Sequence, residues 1–177
     1  MSAPSATSAP ERIGYEFADT SVGRLLVAFS DDGLVWLSFA DSDAEALDAL
    51  SHRFPRAVVS PDEGTHQRWV ADAVASVESP ATRALRAPLD LRGTTFQRAV
   101  WDALLDIPAG QTRSYGDVAR AIGRPTAVRA VAQACGANPV ALLVPCHRVI
   151  GSDGSLTGYA SGLERKRQLL EHERPDG

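Results

Sequence analysis

A cysteine stands directly before a histidine at Cys146-His147, within the stretch Val144-Pro145-Cys146-His147-Arg148-Val149. The thiolate is the reactive form of cysteine, and a free thiol is only about a few per cent thiolate near neutral pH. An imidazole in the same site raises that fraction by taking the proton, directly or through a water. Glu173 follows Cys146 by 27 positions. A carboxylate folded back onto His147 would orient the ring and complete a Cys146–His147–Glu173 chain by the general triad logic. Cysteine is also among the most buried residue types, so the dipeptide alone is more often a sign of packing than of catalysis.

The neighbouring residues show how such a pair would be held. Val140 to Val144 is an apolar run that reads as a buried strand ending at the cysteine, after a break at Asn138-Pro139. Pro145 fixes its own φ and lacks an N–H, which stiffens the entry to Cys146. Gly151-Ser152-Asp153-Gly154 reads as a turn. Upstream, Thr94-Thr95-Phe96-Gln97 fits a capping box and opens a helix with Phe96, Val100, Leu104 and Ile107 inward. Ser114-Tyr115-Gly116-Asp117 opens a second, short helix, and Gly123-Arg124-Pro125 turns the chain. Thr126 is the expected cap of a third helix, Ala127 to Cys135, closed by Gly136. The last two helices make a helix-turn-helix candidate. On the third, helical spacing puts Val128, Val131, Ala132 and Cys135 inward, and Arg129, Ala130, Gln133 and Ala134 outward. That outer face is short-chained apart from one cation and one amide, so a partner can approach the backbone closely. A last helix is expected over Leu163 to His172, carrying Lys166, the only lysine of the chain.

The first half carries no comparable chemistry. Ile13 to Asp19, Leu25 to Phe29 and Leu34 to Phe39 read as strands, the last two joined at Asp32-Gly33 as a hairpin. Asp43 to Phe54 and Thr65 to Val77 read as helices, and Leu85 to Leu91 as a short returning strand. His52 and His66 lack a soft ligand nearby and read as solvent-exposed, not as a metal site. A boundary is expected at Arg92-Gly93, giving a tail over 1–12, a scaffold domain over 13–92 and a second domain over 93–177.

The totals bound the class. The chain has 177 residues, 44% hydrophobic and 23% charged, ordinary for a globular protein. Met1 to Pro10 lack the basic start and apolar core of a signal peptide. Two cysteines make no disulfide framework, so a reducing, cytoplasmic setting is expected. No run reaches the ~18 apolar residues of a membrane span, so no membrane partner is expected. The net charge of −4 divides unevenly: residues 1–92 hold 8 Arg and no Lys against 14 acidic residues, and residues 93–177 hold 10 basic against 8 acidic residues. A second half at +2 is compatible with nucleic acid but does not establish it.

Taken together, Pro145-Cys146-His147-Arg148-Val149, Asn138-Pro139 and Gly158-Tyr159 resemble the signature of the O6-alkylguanine-DNA alkyltransferases. The resemblance runs from about Arg92 through Glu173, more weakly from Tyr15 to Leu91, and Val128 to Cys135 is closest in texture to the carboxy-terminal module of Ada-type proteins. It implies an α/β, ribonuclease-H-like amino-terminal domain and a mainly α, winged helix-turn-helix carboxy-terminal domain. It implies transfer of the alkyl group from O6-alkylguanine in double-stranded DNA, after base flipping, onto Cys146. Each molecule would react once. O4-alkylthymine stays open as a further substrate.

By resemblance, His147 is the water-mediated base and Glu173 the carboxylate behind it. Tyr115 presses on the phosphate, and Arg129 enters the base stack. Asn138 braces the turn. Tyr159, the Ala160 N–H and the carbonyls of Cys146 and Val149 hold the base, with Lys166 near the pocket. The helix bearing Ala127, Ala130 and Gln133 lies in the minor groove. The resemblance implies a monomer without a cofactor. It also implies no metal, because family members that bind zinc in the amino-terminal domain use cysteines that are lacking here. The competing readings are a lesion binder of the same fold that transfers nothing, a Cys-His-Glu hydrolase, and a plain transcription factor. Cys146 weighs against the first, and Arg129 with the helix-turn-helix weighs against the second. A cysteine-histidine pair at a buried strand end weighs against the third.

Overall fold

The computed structural model describes residues 8–82 and 87–175. Strands β1 (Arg12–Asp19), β2 (Arg24–Ser30), β3 (Gly33–Phe39) and β4 (Val58–Pro61) form one mixed sheet in the order β3-β2-β1-β4. β2 pairs antiparallel with β1 and β3, and β4 runs parallel to β1. Alternation along β2 serves two cores at once. Leu25, Val27 and Phe29 face helix α2 (Gln67–Glu78), while Leu26 and Ala28 face the core beneath α1 (Asp43–Arg53). The Asp32-Gly33 hairpin forms as expected. Gly33 is required there, because a Cβ would stand 2.3 Å from the Pro88 carbonyl oxygen.

The second half is mainly helical: α3 (Thr95–Leu105), α4 (Tyr115–Ala121), α5 (Val128–Gly136) and α6 (Leu163–His172). The two-residue strands β5 (Arg113–Ser114) and β6 (Val149–Ile150) pair in parallel. Both capping boxes form: Thr94 with Gln97 opens α3, and Ser114 with Asp117 opens α4. The larger core joins the sheet to the helices through Leu37, Trp101, Val131 and Val144. Trp101 donates from Nε1 to the Ala134 carbonyl at 2.9 Å, which ties α3 to α5. Among the described residues, no helix is long and apolar enough to cross a membrane.

Several expectations need correction. The run Val140 to Val144 is a tight turn and not a strand. The Val144 N–H donates to the Val140 carbonyl at 3.0 Å, and Leu142 has φ 73°. The turn is held from outside by the free edge of β3: Leu37 N–H donates to Pro139 O at 2.9 Å and Ala141 N–H to Leu37 O at 3.0 Å. The same edge takes Pro88 to Asp90 through Leu34, so the expected strand over Leu85 to Leu91 reduces to one bridge at Leu89; Leu85 and Arg86 lie outside the described residues. Glu11 and Arg12 do not belong to a tail. Arg12 opens β1, the Glu11 carbonyl accepts from Val58 N–H, and the Glu11 carboxylate pairs with Arg92. His66 is half-buried rather than exposed, stacked on Phe29 at 4.6 Å and bound to Asp62 at 2.6 Å.

Helix α5 is capped at Ala127 without a side-chain bond, so Thr126 does not cap it, and Gly136 lies within it. Its inward face is also rotated from the expectation. Val131, Ala134 and Cys135 are buried, whereas Ala132 is exposed and Val128 is 41% exposed. Ala134 is drawn inward by the Trp101 contact.

Candidate active site and nucleic-acid interface

The turn leads directly into Cys146 and His147. Asn138 spans it, accepting from Val140 N–H at 3.0 Å on Oδ1 and donating from Nδ2 to Val144 O at 2.8 Å. Cys146 to Arg148 then form one 3-10 turn against α6. Cys146 is 7% exposed. Burial pushes its thiol above the ordinary range, opposed by the Asn138 amide and the Lys166 ammonium. Cys135, also buried, is pushed up to about 12, which suits a packing role on α5.

His147 and Glu173 meet as the spacing suggested, with Nε2 of His147 2.7 Å from Oε1 of Glu173. Both side chains are almost wholly buried. The sequence reading missed the third member, Arg148. Its Nε and Nη2 reach Glu173 at 3.0 and 2.7 Å, and Nη1 donates to the Ile107 carbonyl at 2.6 Å. Despite its burial, the Glu173 carboxyl is held down to about 2 by His147 and Arg148. An ionised carboxylate only accepts, so the proton of the His147–Glu173 bond sits on Nε2. Among the described residues, His147 Nδ1 has no hydrogen-bond partner. Burial lowers the basicity of His147, against the pull of Glu173.

Lys166 is fully buried. Its Nζ donates to Val149 O at 2.6 Å and Thr157 O at 2.9 Å. It therefore binds one of the carbonyls expected to read the base, leaving the second lone pair of Val149 O. Thr157 O also accepts from the Tyr115 hydroxyl at 2.8 Å. The segment after β6 is thus fastened to both α4 and α6.

A cleft of about 810 Å³ opens between α5 and that segment. Tyr115, Tyr159 and Ala160 line it on one side, Arg129, Val128 and Ala132 on the other. Tyr159 is tucked in, its hydroxyl lacking a hydrogen-bond partner among the described residues. Cys146 does not line the cleft, and burial pushes the Tyr115 and Tyr159 hydroxyls above their ordinary range. Ala127, Ala130 and Gln133 lie outside the lining, and Asn138 acts behind it. Val128 and Ala132, read as core in the sequence, take the cleft positions instead.

Comparison with known proteins bears on both halves. Residues 95–175 match the family model of the 6-O-methylguanine DNA methyltransferase DNA binding domain, and residues 13–79 that of its ribonuclease-like domain. The chain is 47% identical over 161 residues to the bifunctional transcriptional activator/DNA repair enzyme Ada of Escherichia coli, covering 91% of this chain but only 45% of Ada. It is 44% identical over 162 residues to the methylated-DNA–protein-cysteine methyltransferase of Mycobacterium tuberculosis, covering 92% of this chain and 93% of that protein. The crystal structure of Mycobacterium tuberculosis OGT in complex with DNA superposes with a TM-score of 0.76 at 41% identity, covering 92% of each chain.

Proposed function

The chain belongs to the 6-O-methylguanine DNA methyltransferase family, and from that premise we propose that it repairs alkylated DNA by moving the alkyl group from O6-alkylguanine onto Cys146. The observation that carries the assignment is the buried His147–Glu173 pair directly after Cys146, with the histidine proton fixed on Nε2 and Nδ1 left as an acceptor. Chemically, the thiol proton passes to Nδ1 through a water, the Sγ–CH3 bond forms as the O6–CH3 bond breaks, and the electron pair stays on the guanine. Returning one proton to the base leaves neutral guanine and a thioether. A thioether has no exchange route comparable to that of a disulfide, so each molecule acts once.

The alkyl group lies on a base edge inside the duplex, so the base must leave the stack, at a cost of roughly a few kcal/mol. Arg129 projects from the cleft rim of α5 and fills the vacated place in this reading. Tyr159 and Ala160 flank the flipped base, and Tyr115 steers the phosphate. The short, exposed side chains of α5 suit a minor-groove approach. All these groups come from one chain, so a monomer is sufficient. We place the division between scaffold and acceptor domains at Arg92-Gly93. The chain spans about half the length of the Ada protein it matches, and no transcriptional role is assigned to it.

The test is the intact mass of the protein after incubation with duplex DNA bearing one O6-methylguanine, followed by peptide mapping. One added methyl group on Cys146, saturating at one per molecule, is expected. Tight, selective binding to the lesion without any mass shift would instead make the protein a lesion binder.

A further inference from the structure

Glu173 serves two partners at once. Its Oε1 lies 2.7 Å from His147 Nε2 and 2.7 Å from Arg148 Nη2, and Arg148 Nε spans both carboxylate oxygens at 3.0 and 3.1 Å. The guanidinium is pinned from behind by the Ile107 carbonyl, so it cannot swing away. We infer that Arg148 is a positioning residue for the transfer reaction: by holding Glu173 as an ionised acceptor, it fixes His147 as the neutral imidazole with its proton on Nε2 and its lone pair on Nδ1. This rests on the reading of Cys146 as the acceptor.

The argument is one of buried charge. Glu173 and Arg148 cancel, so a neutral His147 leaves the trio with no net charge in a site nearly closed to water. A second proton on His147 would leave one uncompensated positive charge there, which low dielectric disfavours strongly. Without Arg148, the same carboxylate would be neutralised only by an imidazolium, and His147 would take a second proton much more readily. The other groups facing the pair push the same way or are neutral. Lys166, from α6, adds positive charge that opposes an imidazolium, while Cys146 and Tyr159 stand uncharged until a thiolate forms. Arg148 therefore keeps Nδ1 unoccupied over the physiological range, ready for the thiol proton.

The test compares the wild type with Arg148→Gln and Arg148→Lys in two measurements. The first is the single-turnover rate of methyl transfer from saturating methylated duplex at pH 5.5 and pH 8. The second is the ring ¹⁵N spectrum of His147 over the same range. The wild type is expected to hold one ring proton, on Nε2, throughout, with rates at the two pH values within about threefold. In Arg148→Gln, His147 is expected to gain its second proton towards pH 5.5, with the rate there falling about tenfold or more relative to pH 8. Arg148→Lys retains the charge and is expected to fall between, and it carries the test should the glutamine variant not fold. A rate lowered equally at both pH values, with an unchanged ¹⁵N titration, would reduce Arg148 to a structural support and overturn the inference. Absence of methyl transfer in the wild type would sink the acceptor reading instead, and the ¹⁵N titration would still decide the role of Arg148.

Discussion

The turn from Asn138 to Arg148 and the outer face of α5 are built in opposite ways. In the turn, buried and half-buried polar groups are held by named partners: Asn138 by Val140 and Val144, Arg148 by Glu173 and Ile107, His147 by Glu173. On α5, Val128, Arg129 and Ala132 face outward, and Arg129 makes no ion pair or hydrogen bond among the described residues. The first region has its geometry fixed before any substrate arrives, as proton transfer demands of groups that must lie within hydrogen-bond reach. The second has little to hold in place, which suits a surface whose partner supplies the missing contacts. Chemistry and recognition therefore respond to different substitutions.

The largest expected effect isolates the first region. Cys146→Ser should abolish methyl transfer, read by intact mass, while leaving duplex affinity within about twofold, since the cleft wall and α5 are untouched. Methyl transfer surviving in this variant would place the acceptor elsewhere. Next comes Glu173→Gln, which strips the charge opposite a buried Arg148. Breaking a buried pair by removing one partner costs roughly 3–5 kcal/mol, to be read from denaturant unfolding. The pH dependence has a definite sign. A carboxyl near 2 when folded and about 4.3 when unfolded contributes stability that is complete above the unfolded value. That contribution is lost as pH falls towards 2. The gap between wild type and Glu173→Gln should therefore narrow between about pH 5 and pH 2, and a constant gap would mean Glu173 is not the titrating group.

How far the chain could be read without its structure follows the same division. Capping boxes at Thr94 and Ser114, the Asp32-Gly33 hairpin and the span of α6 were legible because each is settled by residues within four or five positions. The His147–Glu173 pairing was legible because residue type limits what a carboxylate near a histidine can do. The turn at 140–144 was misread because a short apolar run has no periodicity to separate a strand from any other buried segment. What decides it is the free edge of β3, a hundred residues earlier in sequence, where Leu37 takes both Pro139 and Ala141. The rotated face of α5 was misread because alanine barely discriminates inside from outside. The bond from Trp101 to Ala134 O settles that face, and it too is non-local. Arg148 escaped notice because arginine is almost never fully buried unless paired, and its partner lies 25 positions on.

Two alanines on α5, two positions apart, probe the boundary between the regions. Ala134 is buried against α3, so Ala134→Leu should overpack the junction and cost about 1–3 kcal/mol in unfolding free energy. Ala132 is exposed on the cleft, so Ala132→Leu should leave stability within about 0.5 kcal/mol and lower duplex affinity. The original assignment of the faces, with Ala132 inside and Ala134 outside, requires the reverse, so chemical denaturation of the two variants decides between them.

The smallest effect is also the most selective. Arg129 contributes nothing visible to the fold, and in the proposed function it enters only when a base leaves the stack. Arg129→Ala should therefore leave stability and the reaction with a free O6-alkylguanine base within about twofold of the wild type, because a free base needs no flipping. Transfer from duplex should slow about tenfold, equivalent to losing roughly 1.4 kcal/mol of the support given to the flipped state. Single-turnover rates on the two substrates give the ratio directly. Equal slowing on both would mean that Arg129 acts on the reacting groups and not on flipping, and the line drawn between the buried turn and the open helix face would have to move to include it.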